Sequence, residues 1–216
     1  MGKLDLITII LIAANALISY KGFNDYSFFE KYKLHVGSIN RGEQIRLVSS
    51  GFLHANTQHL LFNMLSLYFF ADAVIASLGT VKFLIVYFVS LVLGSLLSVY
   101  FHKSEYHYSA VGASGAVSGI IYSAILLHPG MSLYMYFIPI PIPAYIFGVG
   151  YLLYSIYGMK NRLGNIGHDA HFGGAVGGYL ITLILSPWLF STNLLMVILL
   201  AIPILILFVL RKMGKM

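Results

Sequence analysis

The sequence predicts an all-α polytopic membrane protein, a six-helix core followed by a seventh, C-terminal transmembrane helix. The 216 residues are 59% hydrophobic and only 9% charged, with a mean hydropathy of +0.85, far from the balance of a water-soluble domain. The apolar residues fall in long runs without strict alternation, so the backbone satisfies its hydrogen bonds as helices rather than as a closed barrel. Seven of these runs are long enough to cross most or all of a bilayer.

They extend from about Leu4 to Tyr20, Thr57 to Leu78, Phe83 to Tyr100, Ala113 to Leu127, Leu133 to Tyr157, His168 to Leu185 and Asn193 to Leu210. In the first, Lys3 and Ala14-Asn15-Ala16 also fit a secretory leader, a reading opposed by the apolar run continuing through Leu17 and Ile18. The long connection from Lys21 to Asn56 mixes charged, aromatic and Gly residues and is predicted to be a partly ordered, functional loop. Pro139, Pro141 and Pro143 remove amide donors and favour extended backbone, so the fifth helix is predicted to begin near Ala144. Residues 1–190 read as one core. Residues 191–216 read as an added helix and basic tail; Leu194 to Leu210 carry no polar side chain and predict a lipid-facing segment without chemistry.

The net charge of +6 is spread over 13 Lys and Arg that form no long block, so anionic lipid headgroups, not nucleic acid, are the expected counterpart. The absence of cysteine excludes disulfides, thiolate nucleophiles and Cys-based metal sites.

Polar groups in apolar helices are costly unless paired, so their positions point to function. They fall in four places: His54, His59 and Asn63 on the second helix, Asp72 further along it, Ser114 at the start of the fourth, and His168, Asp169 and His171 at the start of the sixth. With complete crossings, helices two, four and six begin on one side of the membrane, and their first turns can meet. His59 and Asn63 are four residues apart on one helix face, where two donors can serve one oxygen. Ser114 opens a run of small residues containing Gly115 and Gly119. Gly173, Gly174, Gly177 and Gly178 follow His171 on helix six. Two small-residue faces of this kind let backbones approach closely, which a Ser–His hydrogen bond between helices requires.

Three motifs resemble the rhomboid family of intramembrane serine proteases: His54-Ala55-Asn56-Thr57-Gln58-His59-Leu60-Leu61-Phe62-Asn63-Met64-Leu65, then Gly112-Ala113-Ser114-Gly115, then Ala170-His171-Phe172-Gly173-Gly174-Ala175-Val176-Gly177. Small residues and spaced glycines are common in membrane helices, but all three in order on alternate helices are specific. The resemblance implies that Ser114 is the nucleophile and His171 the general base, with His59, Asn63 and the Ser114 N–H as the oxyanion hole. It implies endopeptidase action on the transmembrane segments of other membrane proteins, in a multi-pass protein of the cell membrane, with no metal, ATP or organic cofactor. Two departures stand out. Ile45-Arg46 replaces the family's Trp-Arg pair, and Ile75 replaces an acid, with Asp72 one turn earlier.

Other readings weigh less. Ser114 alone would be a packing serine, and His171 alone a hydrogen-bond partner between helices. Asp169 lies two residues from His171 on another helix face, so a structural or interfacial acid is expected and not a triad member. His54, His59, His168 and His171 suggest a metal only weakly, since no His-Glu-x-x-His motif is present. A relative without catalysis that binds transmembrane clients is the alternative class, opposed by the retained Ser and His. With complete crossings, eleven of the thirteen basic residues fall on the active-site side; the positive-inside rule then makes that face cytoplasmic, whereas the resemblance implies an outward-facing site, and both remain open.

Overall fold

The computed structural model describes residues 5–135, 138–164 and 167–215. Among them seven long helices carry the fold: α1 Leu6–Asn24, α2 Thr57–Leu78, α3 Thr80–Phe101, α4 Ser114–Leu127, α5 Ala144–Asn161, α6 His168–Leu185 and α7 Leu194–Lys212. Lys3 and Leu4, named in the leader reading and the first span, lie outside the described residues, as do Tyr136 and Phe137 of the predicted fifth span.

Each end has a local cause. The Asp5 carboxylate accepts the Ile7 N–H and caps α1. That helix runs one turn past the predicted Tyr20, because a helix leaving the bilayer need not stay apolar; it stops at Asp25, whose carboxylate caps the next short helix, Tyr26–Tyr32. Asn56 caps α2 by accepting the His59 N–H at 2.8 Å. Gly79, at φ +79°, makes the one-residue turn between α2 and α3. As the prolines predict, α5 starts at Ala144. Before it, Ile138–Pro143 pairs antiparallel with Ser132–Met135.

Among the described residues four helices, α1, α2, α3 and α7, are long and apolar enough to cross a membrane by length and composition. The other three predicted spans are helices of a different kind. α4 has only 14 residues, and all of them after Ser114 are buried. Protein, not lipid, surrounds α4, so a length of about 21 Å suffices.

The core is the mutual crossing of α3, α4 and α6. A Cβ on Gly174 would overlap the Gly115 carbonyl, and one on Gly178 would overlap the Gly119 backbone. Gly94 of α3 joins them: a Cβ there would lie 2.7 Å from the Ala170 carbonyl oxygen and 3.4 Å from Gly115 Cα. Thr182 on α6 donates to Ser123 on α4 at 2.8 Å, closing the lower half of the seam. The sequence predicts the α4–α6 approach but not the part of α3, whose single glycine carries no repeat to mark it.

The long first connection is ordered throughout, as the helices Tyr26–Tyr32, Val36–Asn40 and Arg46–Ser49 and a 3-10 turn Ser50–Phe52. Arg46 is buried at its centre. Its guanidinium donates to Glu43 at 2.7 Å and to the Glu30 and Lys33 carbonyls at 2.8 and 2.9 Å. That bond holds the Glu43 carboxyl below its usual range. Ile45, in place of the family's Trp, is 64% exposed, so the anchoring falls to the arginine.

The prediction for α7 needs correction. Met196, Val197, Leu200, Ile204 and Leu207 form a buried stripe, the Tyr179 hydroxyl of α6 donates to the Val197 carbonyl at 2.9 Å, and Arg211 lies 4.2 Å over the Tyr100 ring of α3. An all-apolar segment hides its packed face, since lipid and protein interior demand the same residues.

The glycine seam makes a stability prediction. Gly174→Ala and Gly178→Ala should each cost about 1–3 kcal/mol, read as a lower thermal midpoint in detergent. Gly150→Ala on α5, where a Cβ meets nothing within 4 Å, should be neutral or mildly stabilising. Equal effects at all three positions would refute the packed crossing.

Candidate active site

The seam brings the first turns of α4 and α6 together. Ser114 is the first residue of α4, so its N–H is among the amides that have no acceptor within the helix. His171 sits in the first turn of α6, one turn before the Gly174 contact with Gly115. Both are half-buried, held by protein yet reachable. Among the described residues no hydrogen bond joins Ser114 to His171. The His171 ring lies nearly parallel to that of Tyr151 on α5, with centroids 5.8 Å apart, and the Tyr151 hydroxyl is 3.1 Å from Ser118, one turn beyond Ser114.

The chain entering Ser114 is shaped by Gly112, at φ +130°. A Cβ there would lie 2.7 Å from Nε2 of His59 and 3.7 Å from Nδ2 of Asn63. The glycine therefore lets both α2 side chains reach the backbone just before the serine, a second reason for glycine beside its left-handed angle. Asn63 is buried, and its Nδ2 has no hydrogen-bond partner among the described residues. A buried amide donor in a helical membrane core is costly to leave unpaired, so Asn63 is a donor available to an acceptor brought beside Gly112.

His54 lies before α2, not on it, and is fully buried. Nε2 accepts the Ala113 N–H at 3.4 Å, which places the ring proton on Nδ1. Nδ1 then donates to Ser19 Oγ of α1 at 2.8 Å, and the Ser19 hydroxyl donates to the Phe52 carbonyl at 3.0 Å. This directional chain ties α1 and the long loop to the residue preceding Ser114. Burial, reinforced by the neighbouring His59, pushes the His54 imidazole down to about 3. It is neutral at physiological pH, as accepting from Ala113 requires.

Asp169 is buried and turned to Tyr108 and His102, each 3.5 Å from its carboxylate. Burial first and then this carboxylate push the Tyr108 phenol up, keeping it a donor. His168 packs edge-on to Tyr154, with ring centroids 5.3 Å apart, and fills the space a side chain on Gly158 would take. Of the remaining motif positions, Ala170 and Gly173 close the contact with α3, and Gly177 packs on Ser90 of α3. Among the described residues no three His, Asp or Glu side chains converge to hold a metal ion. Tyr151, Ser19 and Ser118 escaped the sequence reading. Tyr151 stands in an aromatic-rich helix, and the two serines look like ordinary packing residues.

Comparison with known proteins shows what the chain as a whole is similar to. A family model described as Rhomboid domain matches residues 41–188. RHOMBOID-like protein 12, mitochondrial, of Arabidopsis thaliana is 28% identical over 182 residues, 76% of this chain and 54% of that protein. Rhomboid protein 1, mitochondrial, of Saccharomyces cerevisiae is 29% identical over 158 residues, 72% and 45% of the two chains. Rhomboid protease AarA of Providencia stuartii is 28% identical over 160 residues, 66% and 56%. The chain spans about half the length of the curated relatives it matches.

The His54 chain carries a pH prediction. Its pKa is about 3 in the folded protein against 6.5 for a free histidine. The stabilising neutral state is therefore fully present above pH 6.5 and lost as pH falls toward 3. Stability measured in detergent should decline over that window, and His54→Gln should flatten the decline. Parallel wild-type and variant curves would refute the assignment.

Proposed function

The chain belongs to the rhomboid family, and on that premise we propose that it is an intramembrane serine endopeptidase acting through Ser114 and His171. The single observation that carries the reading is the seam. Backbone contact between Gly115 and Gly174 sets the first turn of α4 against that of α6, while Asn63 brings an unpaired donor to the same place.

In the first step the neutral His171 accepts the proton of Ser114 as Oγ attacks the scissile carbonyl. The carbonyl oxygen becomes an oxyanion, for which the Ser114 N–H, Asn63 Nδ2 and His59 are the donors. Collapse breaks the C–N bond, the amine takes its proton from His171, and an acyl-Ser114 remains. Water, deprotonated by His171, then releases the acid and restores the serine. Asp169, engaged with Tyr108 and His102, stands outside this sequence, which makes the unit a dyad. No cofactor enters any step.

The substrates in this reading are transmembrane segments of other proteins, cleaved where their helices unwind, within the cell membrane. Mitochondrial relatives make an organelle membrane the second setting. One observation favours a second class, a relative that binds transmembrane clients without cleaving them: Ser114 and His171 are not hydrogen-bonded to each other. Retention of both residues and of the orphaned Asn63 donor weighs against it.

Cleavage of a single-span membrane substrate by the purified chain tests the proposal. Ser114→Ala and His171→Ala should each lower the rate by about 10⁴-fold or more, and Asn63→Ala by about 10²- to 10³-fold in kcat. A fluorophosphonate should label wild type at Ser114. A folded wild type that neither cleaves several substrates nor takes the label would leave the client-binding reading.

A further inference from the structure

α3, α6 and α7 line an open apolar groove of about 260 Å³. Leu93, Leu97 and Tyr100 of α3 form one wall, Val176 and Leu180 of α6 the floor, and Phe208 of α7 the other wall. From Phe172 to Leu180 the groove follows the axis of α6 for about 12 Å.

One end of this groove is basic. Arg211 lies three residues after Phe208, on the same face of α7, with its guanidinium 4.2 Å over the Tyr100 ring and 4.3 Å over that of Phe101. The Lys103 ammonium lies 5.8 Å from the centre of the same Tyr100 ring, and Lys212 is exposed beside Arg211. Among the described residues none of these three cations pairs with a carboxylate. The nearest acid in sequence, Glu105, is engaged by His102 at 3.0 Å and Arg162 at 3.8 Å.

From these observations we infer that α3, α6 and α7 build a binding site for an anionic glycerophospholipid, its acyl chain in the groove and its phosphate between Arg211 and Lys103. The pairing of an apolar groove that takes part of an acyl chain with unpaired cations at one end distinguishes this occupant from a neutral lipid, which would leave the cations unanswered. The aromatic rings hold the guanidinium at the groove mouth by cation–π contact, leaving its N–H edge free for phosphate oxygens. This gives α7, which contributes nothing to the candidate active site, a role of its own. The floor of the lipid site is the helix that carries His171 on its first turn.

The test uses the full chain purified in mild detergent, with native mass spectrometry and thermal unfolding as readouts. Phosphatidylglycerol should be retained one to a chain and raise the thermal midpoint, while phosphatidylcholine with the same acyl chains should be stripped. Joint Arg211→Gln and Lys103→Gln substitution should weaken phosphatidylglycerol retention on the order of thirtyfold. Val176→Trp, which fills the groove without altering a charge, should displace the lipid. If the double variant does not fold, Lys103→Gln alone, at an exposed position, should still weaken retention several-fold. Equal retention of the two lipids, or unchanged retention in the charge variants, would overturn the inference. So would stabilisation by free glycerol phosphate equal to that by the lipid, since the groove would then be idle.

Discussion

Everything in this molecule depends on three helix backbones being allowed to touch. At ordinary helix separations of 8–10 Å, the short side chains of Ser114 and His171 would remain on separate surfaces. Glycines remove the Cβ layer where α3, α4 and α6 cross, so the carbonyls of Gly115, Gly119 and Ala170 fall where side chains would otherwise stand. In a bilayer no hydrophobic force drives helices together, and association relies on van der Waals packing of this kind and on hydrogen bonds between helices. The seam is therefore the source of cohesion as well as the means of assembling a site. The same contact that buries α4 makes it short, since a helix that never meets lipid need not match the bilayer.

Around the seam, several polar side chains find partners across helices. Asn15 donates to the Tyr87 hydroxyl between α1 and α3 at 3.3 Å, and His128 at the end of α4 meets the Ala73 carbonyl of α2 at 3.0 Å. The first loop rests on Arg46, whose fork collects a carboxylate and two carbonyls from three points of the chain. Through Ser50 and His54 this loop reaches the serine: Gly112 donates to the Ser50 carbonyl at 3.0 Å and Ala113 to His54. The residues before Ser114 are thus fixed from the loop side and the α2 side at once. The Asn63 amide, buried and without a partner among the described residues, is the side-chain donor that the proposed mechanism offers to the oxyanion.

α7 shows how an apolar helix acquires specificity. Its packed stripe and lipid face share one composition, and the polar contributions come from its neighbours and its end: the Tyr179 hydroxyl reaching its backbone, and Arg211 laid over two aromatic rings. It joins the core by shape, and meets the interface by charge.

Much of this was legible in the residues themselves. Run lengths and the lack of alternation establish the helices, Pro139, Pro141 and Pro143 place the start of α5, and the small-residue runs after Ser114 and His171 announce a close crossing. These are local properties, set by backbone hydrogen bonding and side-chain volume, and a chain carries them wherever it folds. What the chain could not disclose is which surfaces face one another. Gly94 as the third member of the seam, Tyr151 beside His171, the His54 link from α1 to Ala113 and the buried stripe of α7 all join residues far apart in sequence. In a membrane, protein interior and lipid favour the same apolar side chains, so composition cannot tell a packed face from a free one; only the three-dimensional arrangement of the helices decides that.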